Sequence, residues 1–274
     1  AAPSGMKPPS LDVGSSHRVS TLLGELPGGM TPVEMGLQVH RVIRDAAGSE
    51  DPYGVVKRRS NDEALRLYPR LREMVDASSD PLHTALRLSA VGNTIDFGAN
   101  PDFDLEASIQ YGLTGEFQYF DLPGFRKRLD AASGVLLIGD NAGEIVFDRL
   151  LVEELVGLGV QVTFAVRGGP VINDVTLEDA LYVGMDDVAE VVSSGVRGPG
   201  TVLPSCHGEF RELFARSELI LAKGQGNYEG LSEEEAPIFF LLKIKCPVVA
   251  EDTGTKVGDL VLRAGDSAFP ARRS

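Results

Sequence analysis

From Gly134 onward the chain alternates short apolar runs with stretches of helical periodicity, joined by glycine or polar turns. "GVLLIGD" opens the series as an uninterrupted apolar run, the pattern of a strand buried on both faces. "GEIVFDRLLVEELVGLG" follows, with Val146, Phe147, Leu150, Leu151 and Leu155 on one helical stripe and a stop at Gly157 and Gly159. "VQVTFAVRGG" is a second strand, "TLEDALYVG" a short helix with Thr176 as N-cap, and "VAEVVSS" a third strand. "GEFRELFARS" reads as a helix, "LILAKG" as a strand, "PIFFLLKIK" as a helix or apolar segment and "PVVAED" as a last strand. Strands alternating with helices join through right-handed crossovers into a parallel sheet, so this half is expected to be a Rossmann-like α/β domain.

The preceding hundred residues differ. "DEALRLYPRLREMVD" spaces Leu65, Leu67, Leu71 and Met74 near the helical period, "DPLHTALRLSAVGNTIDFG" continues in that manner, and "DLPGFRKRLDAASG" is a short helix with a glycine stop. No alternation of strands is seen there. The expected organisation is a loose polar tail over 1–30, a helical domain over 31–130 and the α/β domain over 131–274. At 274 residues and 43% hydrophobic, the chain has the material for a substantial core.

Its formal charge is −14, from 40 acidic and 26 basic residues. That argues against binding nucleic acid or an anionic membrane surface, both of which call for a basic face. No apolar run reaches the roughly 20 residues of a membrane span. The start, "AAPSGMKPPSLDVGSSHR", lacks the charged-then-apolar order of a signal peptide. Cys206 and Cys246 make no metal-ligand spacing, so a reduced, cytoplasmic protein is the expectation.

Open parallel sheets bind ligands at the carboxyl ends of their strands. Asp140 and Asn141 close the first strand, and Glu144 and Asp148 follow on the helix. Arg167 closes the second, and "GGPVIND" then delivers Asn173 and Asp174. Lys223 closes "LILAK" ahead of the glycine-rich "GQGN". Carboxylates with amide oxygens, and no His or Cys among them, suit a hard divalent cation such as Mg²⁺ or Mn²⁺, with Co²⁺ and Ni²⁺ as further candidates. An arginine and a lysine suit a phosphate. Metal and phosphate cradle together are the equipment for phosphoryl transfer to water. Singly, each residue has a plainer reading: Asp140 as a helix N-cap, Asp174 as an Asx-turn, Lys223 as a surface lysine, Glu144 and Asp148 as solvent-facing or dipole-matching acids. His83 and His207 stand alone in sequence and read as structural. "GQGNYEG" spaces its glycines wrongly for a dinucleotide fingerprint.

"GDNAGEIVFD", "VRGGPVINDVT" and "AKGQGNYEGL", in this order, resemble the damage-control phosphatase family, formerly the domain-of-unknown-function 89 family; "DPYGVVKRRSNDEALRLYP" and "GNTIDFG" resemble its helical N-terminal region. The resemblance spans about 31–262. It implies a three-layer α/β/α architecture, a parallel or mixed sheet with an N-terminal helical domain, and a metal-dependent phosphatase of small phosphorylated metabolites: sugar phosphates, nucleotides or phosphopantetheine-like compounds. By that resemblance Asp140, Asn141 and Asp174 match metal-site positions and Lys223 the phosphate-contacting lysine, while Arg167, Asn93 and Asp96 match polar positions of the same motifs. The chain departs from many short members in having no Cys-x-x-Cys near its start. Two other classes compete: an S-adenosylmethionine-dependent carboxyl methyltransferase, and a non-catalytic metabolite-binding module. Against the first, "GDNAGE" is no glycine run shaped to admit a nucleoside. The oligomeric state is not legible in the sequence.

Overall fold

The structure, a computed structural model of the chain, describes residues 20–22, 24, 27–47, 51–93 and 105–265. The helical layer comprises α1 (Pro32–Ala47), α2 (Gly54–Asp76), α3 (Pro81–Gly92) and α4 (Leu105–Thr114). On α2, Ala64, Leu71 and Val75 turn inward, while the pairs Arg59–Glu63 and Arg72–Asp76 lie on the outer surface. Helix α3 opens with Asp80 accepting the His83 N–H and Pro81 in the first turn. It is buried along nearly its whole length, and Gly92 lies close against Phe147.

Next come β1 (Tyr119–Phe120), α5 (Leu122–Leu129), β2 (Gly134–Ile138), α6 (Glu144–Gly157), β3 (Gln161–Val166), α7 (Leu177–Tyr182) and β4 (Glu190–Ser193). The chain continues through α8 (Gly208–Arg216), β5 (Ile220–Lys223), α9 (Gly224–Leu231), β6 (Ile238–Lys243), α10 (Pro247–Thr253) and β7 (Leu260–Ala264). Thr176 caps α7 in a reciprocal capping box with Asp179, as the sequence leads one to expect. The seven strands form one sheet in the order β1-β7-β6-β5-β2-β3-β4. All neighbours are parallel except β6 and β7. From β2 the chain winds outward through β3 and β4, then returns to the other side of β2 with β5. The direction of winding therefore reverses between β2 and β5, where such sheets leave a crevice.

Alternate residues of the strands feed two cores. Val135, Leu137, Phe164, Leu221, Phe239, Leu241 and Leu262 pack beneath α2, α3, α5 and α6. Leu136, Ile138, Ala165, Ile220, Phe240, Leu242 and Val261 pack with Phe210, Phe214, Tyr228, Leu231 and Val249 on the opposite face. The fold is a seven-stranded mixed sheet between two helical layers, and the N-terminal helices share a hydrophobic core with the sheet.

Four assignments differ from the expected ones. Tyr119–Phe120 forms a strand inside the segment read as helical; two residues carry no periodicity, and only pairing with β7 defines them. "PIFFLLKIK" is strand β6, buried on both faces. "PVVAED" is helix α10, with Pro247 in its first turn and Gly254 (φ 64°) ending it. Strand β7 was not expected, and it makes the sheet mixed. Among the described residues no helix is long and apolar enough to cross a membrane. Cys206 and Cys246 form no disulfide.

Candidate metal and phosphate site

Asp140, Arg167 and Lys223 stand at strand ends because an apolar strand buries up to each point and stops, while Glu144 and Asp148 follow on α6 and Asp174 on the loop after β3. Asp140 follows β2 by one glycine, and Gly139 leaves room for Phe164, whose ring a Cβ there would meet at 2.7 Å. The turn Asp140–Gly143 leads into α6 through Gly143 at φ 79°, a left-handed conformation that suits glycine. The strand β3 ends at Val166; Arg167 pairs onward with Thr176, and Asn141 pairs with Asp174, so the two loops are stitched along their backbones. The Val175 N–H donates to the Asp140 carbonyl at 2.9 Å and the Ala142 N–H to the Asn173 carbonyl at 2.8 Å.

Asp140 Oδ2 accepts from Asn93 Nδ2 at 2.8 Å and Asn141 Nδ2 at 2.7 Å. The same two amides donate to Glu144 Oε2 at 2.7 and 3.0 Å. Arg167 Nε donates to Asp174 Oδ2 at 2.6 Å, and its Nη2 lies 3.8 Å from Asp140 Oδ1. Beneath this layer Lys223 Nζ lies 2.5 Å from Asp148 Oδ1 and 2.9 Å from Glu144 Oε1. It also donates to Ser89 Oγ at 2.6 Å and to the Ser89 carbonyl at 2.9 Å, and Ser89 Oγ donates to Asp148 Oδ1 at 2.6 Å.

The structure thus gathers Asp140, Asn141, Glu144, Asp148, Arg167, Asp174, Lys223 and Asn93 at the crevice between β2 and its neighbours. Asn173 reaches it through its carbonyl, its residue being exposed. Asp96 lies outside the described residues. Lys223 departs from its expected setting: instead of projecting into the cleft it is fully buried, its ammonium engaged by two carboxylates. "GQGN" is no loop but the first turn of α9, where Asn227 Nδ2 donates to the carbonyls of Lys223 and Gly139 at 2.7 and 3.1 Å. His83 stacks edge-on against Phe120 at 5.3 Å, and His207 begins α8 against Gly195.

Two further groups bear on the site that sequence reasoning missed. The exposed Lys245, just past β6, acts on Asp140 as an opposing charge, and His40 of α1 acts likewise on Asp174. Reading "IFFLLK" as a strand would have put Lys245 near a carboxyl end; nothing in the sequence ties His40 to residue 174.

The electrostatics are unbalanced. Among the described residues, Asp140, Glu144, Asp148 and Asp174 are buried at the crevice, with Arg167 and Lys223 as the buried cations paired to them. Burial, then the charges of Glu144 and Asp174, push the Asp140 carboxyl up to about 7, against Lys245 and Arg167. Burial raises Asp148 to about 6 in spite of Lys223, and raises Asp174 in spite of Arg167. Burial alone would lower Lys223, but Asp148 and Glu144 raise it. Burial is the leading cause in each carboxyl, and the neighbouring cations do not offset it.

Two buried polar atoms beside Asp140 have no hydrogen-bond partner, Asn93 Oδ1 and Arg167 Nη2. The first is an oxygen donor for a cation, the second an N–H for an anion. No three His, Cys, Asp or Glu side chains among the described residues gather into a metal cage of their own. The set on offer is carboxylates completed by amide oxygens, which suits a hard divalent ion that keeps part of its coordination for water or phosphate. The residues present fit such an ion.

Gly224 sets how closely α9 approaches. Its φ is 77°, and a Cβ there would stand 1.9 Å from Asp140 Oδ2. Gly224→Ala should therefore displace the carboxylate and lower turnover by at least about tenfold, about 1.4 kcal/mol of transition-state stabilisation. Steady-state rates at saturating divalent ion check this.

The damage-control phosphatase ARMT1-like domain matches residues 14–261 of the chain. A damage-control phosphatase of Archaeoglobus fulgidus is 37% identical, over 84% of this chain and 81% of its own. Damage-control phosphatase PH1575 of Pyrococcus horikoshii is 35% identical, over 78% and 75%. The crystal structure of that protein, described as a DUF89 family protein, aligns with a TM-score of 0.84 at 30% identity and covers 94% of this chain and 92% of its own. A mouse 4'-phosphopantetheine phosphatase is 29% identical over 48% of this chain but only 18% of its own length.

Proposed function

Given that the chain belongs to the damage-control phosphatase ARMT1-like family, we propose that it hydrolyses phosphate monoesters of small metabolites with the help of a divalent metal ion. The observation that carries this reading is the charge deficit of the β2–β5 crevice, with an unpartnered Arg167 N–H beside it. The name of the mouse relative places phosphopantetheine-like compounds among the substrates to test first.

Asp140, Asn141 and Asp174 hold the ion in this reading, with the Asn93 amide oxygen facing the same pocket. Asn141 contributes its oxygen by turning its amide over from the orientation that now donates to Asp140 and Glu144. The ion, when bound, offsets phosphate charge and polarises the phosphoryl group toward attack. Arg167, fixed by Asp174 and by the Thr201 hydroxyl at 3.0 Å, directs its remaining N–H at a phosphoryl oxygen. Lys245, exposed just past β6, adds positive charge toward Asp140. Lys223 acts from below: its ion pairs hold Glu144 and Asp148 in place, and so steady the first turns of α6. The acidic exterior leaves the crevice to select anions by its own local cations, which favours a small phosphate ester over a polyanion. The methyltransferase alternative is not favoured, since the turn after β2 is filled by Asp140 packed on Gly224 rather than left open for a nucleoside.

Phosphate release from a panel of sugar phosphates, nucleotides and phosphopantetheine compounds tests the reading. EDTA should abolish it, and Mn²⁺, Mg²⁺ or Co²⁺ should restore it; full activity in a preparation shown metal-free by elemental analysis overturns it. Metal binding must also follow Asp140. A carboxyl with a pKa of about 7 is protonated below that pH, and the ion must displace the proton. Calorimetric affinity for Mn²⁺ should thus weaken steadily as pH falls from 8 to 6, with proton release on binding. A pH-independent affinity over that range would remove Asp140 from the ligand set.

A further inference from the structure

A second buried polar cluster lies outside the site, between α2 and α7. Lys57 and Asn61 stand one turn apart on α2, exposed by only 2% and 1%. Lys57 Nζ lies 2.7 Å from Asp179 Oδ2 and 3.1 Å from Asp51 Oδ2, and donates to Thr176 Oγ1 at 3.3 Å. Asn61 Nδ2 donates to Asp179 Oδ1 at 3.1 Å, while Asn61 Oδ1 accepts the Gly143 N–H at 2.6 Å. Asp179 Oδ2 also accepts the Thr176 N–H at 2.9 Å and the Thr176 hydroxyl at 2.7 Å.

The end points of this cluster are what matter. Gly143 lies two residues past Asn141, and Thr176 lies two residues past Asp174. One amide and one ammonium of a single helix thereby hold the downstream end of both loops that carry the site carboxylates. A helix needing only to pack there would do so with apolar side chains at less desolvation cost. A satisfied polar network instead fixes position, because each bond constrains direction as well as distance.

We propose that Lys57 and Asn61 are positioning residues of the metal–phosphate site, setting the separation between the Asp140–Gly143 turn and the Asp174–Thr176 segment so that their carboxylates converge on one ion. The inference rests on the metal-phosphatase reading. Neither residue touches substrate or metal; both act through Gly143 and Thr176. Removing the Asn61 acceptor frees the Gly143 N–H and lets the turn drift, which widens the ligand set before it disturbs the core.

The test compares Asn61→Ala and the milder Asn61→Ser with Ser60→Ala. Ser60 is the buried neighbour on α2 whose hydroxyl donates to the Val56 carbonyl within the helix. Mn²⁺ affinity is read directly from the electron paramagnetic resonance of free Mn²⁺, below the melting temperature of each folded variant, alongside kcat and KM at saturating Mn²⁺. Both Asn61 variants should weaken Mn²⁺ binding and lower kcat by about tenfold or more, with KM within about threefold, the scale on which groups behind metal ligands act. Ser60→Ala should leave Mn²⁺ affinity and kcat near wild type whatever it does to melting temperature. If Asn61→Ala fails to fold, Asn61→Ser decides. Wild-type Mn²⁺ affinity and kcat in a folded Asn61 variant overturn the proposal while leaving the phosphatase reading intact. So does an equal loss in Ser60→Ala, which makes the effect one of general destabilisation. A wild-type protein that neither binds Mn²⁺ nor releases phosphate removes the reading and the proposal together.

Discussion

Asp140→Asn yields a folded protein that releases phosphate at least about a thousandfold more slowly than wild type at saturating Mn²⁺, a loss of about 4 kcal/mol in transition-state stabilisation. The substitution keeps the size and one oxygen of the side chain, so the close fit against Gly224 survives. It removes the charge at which the Asn93 and Asn141 amides and Arg167 converge. Stability should move the other way. The Asp140 carboxyl of the folded protein, at about 7, lies far above its unfolded value, so its favourable contribution is complete at low pH and is lost as pH rises through about 7. At pH 8 and without metal the charge is a burden, and the asparagine variant should melt no lower than wild type. Phosphate-release kinetics, with circular dichroism and melting curves in EDTA, read both effects. An Asp140→Asn protein with nearly wild-type turnover overturns the metal-phosphatase reading of this turn.

Lys223→Met gives the largest loss of stability expected of any single site change. The ammonium is fully buried between Asp148 and Glu144 and also holds the Ser89 hydroxyl and carbonyl. Taking away one partner of a buried ion pair leaves uncompensated charge and costs about 3–5 kcal/mol. For a domain of this size that corresponds to a fall of roughly 5–9 °C in melting temperature. Asp148→Asn lightens the deficit, so the double variant Lys223→Met/Asp148→Asn should recover part of the loss. Thermal melts of the four proteins form the cycle. A Lys223→Met protein that melts like wild type but fails to turn over substrate would restore the lysine to direct phosphate contact.

What the sequence showed of this site was its strand ends. A run such as "GVLLIGD" announces a buried strand and where it stops, so Asp140 and Arg167 were readable as rim residues. Burial of Lys223 was not, because its partners Ser89, Glu144 and Asp148 come from α3 and α6, and no local pattern at residue 223 encodes them. The charge deficit was hidden for the same reason. The errors in the last third have a common source: "IFFLLK" is apolar at successive positions and has no period to tell strand from helix. Pro247 and Gly254 did mark the start and stop of α10. Taking α10 for a strand and leaving β6 as a helix or apolar segment lost the strand end beside Lys245 and, with it, a charge acting on Asp140.

The pairing of β1 with β7 has a consequence for the order in which the chain acquires its shape during synthesis. Tyr119 aligns with Val261 and Phe120 with Leu262, so roughly 140 residues separate partners that must meet, a stretch that takes on the order of ten seconds to translate. Strands β2, β3 and β5 emerge earlier and are free to pair in the meantime. Until β7 emerges, β6 presents a bare edge of apolar residues and Tyr119–Phe120 has no strand to join. A nascent chain whose β6 has emerged but whose β7 has not therefore holds the crevice strands together with a sheet edge open to any neighbouring nascent chain.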